Sequence, residues 1–91
     1  SVNAEIILDD TDELQAFFTS NNLLTLKFEL IKGELLDFVF CDLTGRIIYQ
    51  SQLTAIPGTN KKEIPVGELA KGIYIVTLSG IDGSESVKVV K

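Results

Sequence analysis

The chain has no histidine, no methionine and no tryptophan, only two prolines, and a single cysteine, Cys41. Without histidine, serine–histidine–acid triads and histidine-bearing metal sites are excluded. One cysteine cannot close an internal disulfide, so cysteine usage carries no message about redox compartment. No base stands close to Cys41 in the sequence to activate its thiol, so a small buried apolar role is the expectation. Without methionine there is no initiator: Ser1 is a processed terminus or a cut within a longer chain, and no signal peptide is visible. Apolar runs are short and interrupted, too short to span a bilayer as a helix. There is also no glycine-rich phosphate loop.

Charge of one sign is missing from the start of the chain. Residues 1–13 hold Glu5, Asp9, Asp10, Asp12 and Glu13 and no base, whereas the remainder carries eight acids and eight bases, giving a net charge of −5. An acidic opening on a neutral body disfavours nucleic acid, which needs Lys and Arg to displace counterions, and disfavours docking on anionic lipid. Ninety-one residues, 45% of them hydrophobic, suit one folded domain spanning 1–91. A chain of this size buries about 60–65% of the surface it exposes when unfolded.

Period-two alternation dominates what is present. It predicts short strands over Ala4–Leu8 and Leu14–Thr19, the latter turning Ala16 and Phe18 to one face. Leu24–Ile31 is the clearest strand, with Leu24, Leu26, Phe28 and Leu30 against Thr25, Lys27 and Glu29. Leu35–Asp42 follows with Leu36, Phe38 and Phe40 on one side, and Arg46–Leu53 runs back across an Asp42-Leu43-Thr44-Gly45 turn. Thr54–Lys62, with Pro57-Gly58 inside it, reads as a long surface loop, and Glu63–Val66 as a short edge strand because Pro65 cannot donate to a ladder. Gly67–Gly72 is a loop or a single helical turn. Ile73–Ser79 and Ser84–Val90 form a last hairpin across Gly80-Ile81-Asp82-Gly83. Short strands at this spacing predict an all-β fold, a seven-stranded antiparallel immunoglobulin-like β-sandwich with Greek-key connections. Its core is expected from Leu24, Leu26, Phe28, Leu36, Phe38, Phe40, Tyr74, Val76, Leu78, Val87 and Val89.

Candidate sites are few. Asp9, Asp10 and Asp12 offer hard oxygen ligands suited to Ca²⁺, but D-D-T-D-E lacks the alternation and glycine of an EF-hand loop, which favours a solvated turn. No other metal site, no cofactor and no catalytic group is expected. Asp42 should cap its turn, and Arg46 should lie on the outer face of the next strand. Tyr74, opening a strand after Leu69 and Gly72, resembles a tyrosine corner, whose ring packs inward while its OH bonds an upstream backbone group. Tyr49, alternating with Ile47, is expected to pack. Lys88 and Lys91 on the last strand either discourage edge-to-edge aggregation or mark an edge that a partner reads by strand addition.

The ordered pieces CDLTGRIIYQ, LAKGIYIVTLSG, a glycine-bearing turn and SVKVVK resemble the C-terminal sorting domains of type IX secretion cargo in Bacteroidota. In that family a D-x-x-G-[RK]-x-[IV] hairpin precedes an L-x-x-G-x-Y-[IV]-[IV] strand, and a last strand ends in bases. The resemblance covers roughly residues 35–91. It implies a non-catalytic secretion signal behind a larger cargo, protein partners in the translocon, its shuttle or a sortase, no membrane insertion, passage through the periplasm to the cell surface, and removal there. The matching residues are Asp42, Gly45, Arg46, Gly72, Tyr74 and the end strand through Lys88 and Lys91. The Pro-Asn-Pro opening usual in that family is absent. EIILDD…ELQAFFTSNNLLTLKFEL is instead similar to the start of small stand-alone secreted Bacteroidota proteins, also immunoglobulin-like, which implies an interaction module of unknown ligand as the alternative.

Overall fold

The computed structural model describes residues 14–20, 22–81 and 83–91. The strand expected at Ala4–Leu8 and the acidic cluster Asp9, Asp10, Asp12 and Glu13 lie outside the described residues. Seven strands follow: β1 (Gln15–Ser20), β2 (Leu23–Leu30), β3 (Glu34–Asp42), β4 (Ile47–Ala55), β5 (Gly58–Pro65), β6 (Ile73–Gly80) and β7 (Gly83–Val90). No helix forms among the described residues, so the segment after Gly67 is a loop rather than a helical turn. Every strand pairing is antiparallel.

The strands make two sheets, β1-β2-β5 and β4-β3-β6-β7. The chain changes sheet after β2, after β4 and after β5, which is the Greek-key wiring of an immunoglobulin-like sandwich. Compared with the constant-type arrangement, the fourth strand has moved from the first sheet to the rim of the second, beside β3.

Alternation explains the core. Leu24, Leu26, Phe28 and Leu30 of β2 face Leu36, Phe38 and Phe40 of β3 and Tyr74, Val76 and Leu78 of β6, and all are buried. One aromatic contact ties the layers, Phe18 meeting Phe40 edge-on at 6.3 Å between ring centroids, and within the second sheet Phe40 stacks on Tyr74 at 5.3 Å. Each such pair contributes about 0.5–1.5 kcal/mol beyond the area it buries. Tyr49 tilts against Phe38 at 6.0 Å from the rim strand, so it packs while remaining partly exposed.

Several expectations need correcting. The segment 54–62 is no loop: β4 runs to Ala55, β5 begins at Gly58, and Ile56-Pro57 alone crosses between the sheets. Asn60 makes the crossing possible. Its side-chain oxygen accepts from the Ile56 N–H at 2.9 Å, and its amide donates to the carbonyls of Ile56 at 2.9 Å and Gly58 at 3.1 Å. A polar residue is thereby buried and fully bonded. The edge strand is consequently eight residues, Gly58–Pro65, with Pro65 at its end. Thr25, expected in solvent, is completely buried and bonds Thr19 hydroxyl to hydroxyl at 3.0 Å. Val87 is only half-buried, because β7 is the outermost strand of its sheet. Cys41 is half-buried on the outer face rather than in the core.

Candidate functional site

The Asp42-Leu43-Thr44-Gly45 turn is held from within. Gly45 N–H donates to the Asp42 carbonyl at 3.0 Å, and the Asp42 N–H donates to the Arg46 carbonyl at 3.1 Å. The Asp42 carboxylate accepts from the Thr44 N–H at 2.9 Å, the Thr44 hydroxyl at 2.6 Å and the Arg46 N–H at 3.0 Å. Its other oxygen sits 3.3 Å from Arg46 Nε. The Thr44 hydroxyl, then the backbone N–H groups and the Arg46 charge, hold the Asp42 carboxyl below its ordinary range. Gly45 has φ +90°, a region closed to most side-chain-bearing residues, and the turn ends in a bulge where the register steps from Phe40↔Tyr49 to Cys41↔Ile47. Arg46 lies in the turn, not on the strand as expected, and its side chain is 77% exposed.

The second half of the site comes from the other hairpin. Tyr74 is buried, and its OH donates to the Ala70 carbonyl at 2.5 Å. This is the expected tyrosine corner. Gly72, at φ +156°, exchanges backbone hydrogen bonds with Lys91 in both directions, at 3.2 and 2.8 Å. The Lys91 ammonium donates to the Leu69 carbonyl at 2.9 Å. Lys91 is therefore a clasp that closes the last strand onto the loop before β6, not a base projecting from an edge.

Pairing brings the two halves together. Asp42 lies opposite Tyr74, and Tyr74 opposite Val89, in one row across β3, β6 and β7. At this end of the four-stranded sheet a shallow hollow of about 440 Å³ is lined by Asp42, Arg46, Ile47, Ile48, Glu68, Leu69, Ala70 and Tyr74. A neighbouring hollow shares Glu68, Leu69 and Ala70 and reaches Asn22 and Lys91. Asp42, Gly45, Arg46, Gly72, Tyr74 and Lys91 are thus gathered at one end of the molecule. Lys88 is not among them: it pairs with Ile75 on the outer face of the sheet and is exposed.

Glu68, Ala70, Ile47 and Ile48 line the hollow without having been expected there. The Leu-x-x-Gly-x-Tyr pattern marked the loop of Glu68 and Ala70, but nothing in the local sequence says that it lines one hollow with the start of β4 and Asp42. Most polar groups at this end are engaged in holding turns, and the exposed groups lining the hollow include the Arg46 guanidinium, the Glu68 carboxylate and aliphatic side chains. Such a surface suits recognition of another protein by shape, with a charged rim.

The sequence model of the secretion system C-terminal sorting domain matches residues 20–91, which includes every residue gathered at this end of the sheet. No curated protein matches the chain.

Proposed function

We propose a function from one premise: the chain belongs to the family of secretion system C-terminal sorting domains. It is a sorting signal for type IX secretion, its destination is the cell surface or the extracellular space, and it interacts with proteins of the secretion machinery. Our further reading is that recognition takes place at the end of the four-stranded sheet where the DLTG turn meets the Leu69–Ala70 loop. The translocon or its shuttle docks there, a sortase removes the domain after export, and the domain itself, residues 1–91, does no chemistry. One observation carries this reading: residues of both family motifs, distant in sequence, line one hollow, with Arg46 and Glu68 exposed beside it. The family match also favours this reading over that of a stand-alone module, since it takes in both hairpins.

The test is a reporter placed ahead of this chain in a bacterium with type IX secretion. Reversing the rim charges with Arg46→Glu and Glu68→Lys removes the Arg46–Asp42 pair but keeps the backbone bonds of the turn, so circular dichroism should show the fold retained while surface delivery is abolished. Delivery unchanged by the double variant would refute recognition at this end. Mass spectrometry of the delivered reporter then reads removal: peptides from β6 and β7 still attached to surface reporter would exclude cleavage.

A further inference from the structure

A sandwich of two open sheets has four edges, and an unprotected edge is a template for strand pairing. Three of the four are blunted. β5 carries Lys61, Lys62 and Glu63 and ends in Pro65. β1 and β7, at the same side of the sandwich, lie against one another, and β7 adds Glu85 and Lys88. The fourth edge is β4, Ile47–Ala55, IIYQSQLTA. It is one of the two longest strands, pairs only with β3 among the described residues, and contains no charge, no proline and no glycine. Its one irregularity is the bulge at Ile48, which leaves Tyr49–Ala55 regular.

This edge is also self-complementary. In an antiparallel two-fold pairing centred on Ser51, Tyr49 of one copy lies opposite Leu53 of the other, twice by symmetry, on the side that faces the two cores. Gln50 lies opposite Gln52 on the outer side. Aromatic–aliphatic and amide–amide neighbours of this kind stabilise antiparallel pairs, and no like charges meet. Residues 14–91 carry equal numbers of acids and bases, so the body of the domain does not repel a second copy.

We propose that β4 is a homodimerisation edge: two copies of this chain join their four-stranded sheets through β4–β4 pairing about Ser51. Because each copy offers one such edge, the contact is isologous and closes at two. Arg46 and Glu68 stay outside the Tyr49–Leu53 stretch that the two-fold about Ser51 pairs.

Sedimentation equilibrium of the full chain over a dilution series tests this directly. The expected result is a reversible shift between the masses of one and two chains. Gln50→Lys with Gln52→Lys sets lysines opposite one another across the two-fold. It should give one-chain mass at every concentration while circular dichroism and the thermal midpoint stay close to those of the parent. In a Cys41→Ser background, Ser51→Cys should form an interchain disulfide under mild oxidation, and Thr59→Cys on β5 should not. A single-chain mass throughout the series overturns the proposal. So does open-ended assembly, or a dimer that the paired lysines leave intact.

Discussion

Asp42 is the residue on which the turn depends, and its protonation should be visible in stability. The carboxyl is held below its ordinary range by the Thr44 hydroxyl first, then by backbone N–H groups and Arg46. A depressed carboxyl stabilises the folded chain above the pKa it has when unfolded, and that contribution disappears as pH falls through the lower folded value. Thermal melts from neutral pH downward should show a steeper loss below about pH 4 for the parent than for Asp42→Asn, which carries no titrating group there. Tyr74→Phe keeps the ring stacked on Phe40 and deletes the hydroxyl that Ala70 accepts from. Denaturant titration should show a loss of about 1 kcal/mol.

The edge elements divide by how their polar groups are satisfied. β5 exists as a strand because Asn60 answers the backbone at the Ile56-Pro57 crossing. Asn60→Ala leaves one donor and two acceptors of the partly buried crossing without their partner and should cost about 1–3 kcal/mol by chemical denaturation, with hydrogen exchange rising at Gly58–Lys62. This crossing also explains why the sequence read as a loop from Thr54 to Lys62. Pro57-Gly58 punctuates the chain there, and Thr59-Asn60-Lys61-Lys62-Glu63 is polar at all five positions. Only a partner strand shows that Asn60 and Ile64 point inward. Leu24–Ile31 and Leu35–Asp42 were legible because Leu24, Leu26, Phe28 and Leu30, then Leu36, Phe38 and Phe40, recur at every second position and the core takes each of these. Thr25 departs from its pattern for a related reason: local alternation places it on the outer face, and its burial comes from a central strand position between β1 and β5.

At the scale of the molecule the last strand is a fastening as well as a signal. β7 supplies Val89 to the core, and Lys91 fixes the loop that carries the tyrosine corner. Removing Ser86–Lys91 should therefore abolish cooperative denaturation, followed by circular dichroism, rather than merely trim an appendage. Loss of surface delivery in that truncation would report lost folding together with lost recognition. The charge reversals at Arg46 and Glu68 separate the two.

Composition and alternation alone determined that this chain is all-β, that β2, β3 and β6 supply the centre of its core, and that Asp42–Gly45 and Gly80–Gly83 turn the chain back on itself. They could do so because a pleated strand shows its two faces in its own residue order, and a tight turn demands particular residues at particular places. The tertiary structure decided what meets across sequence distance: that β4 sits at the rim of the second sheet, paired with β3 alone among the described residues, that Asp42 and the Leu69–Ala70 loop line one hollow, and that Lys91 is a clasp. Those outcomes depend on which strands pair and on which side each connection crosses, and no local pattern encodes either.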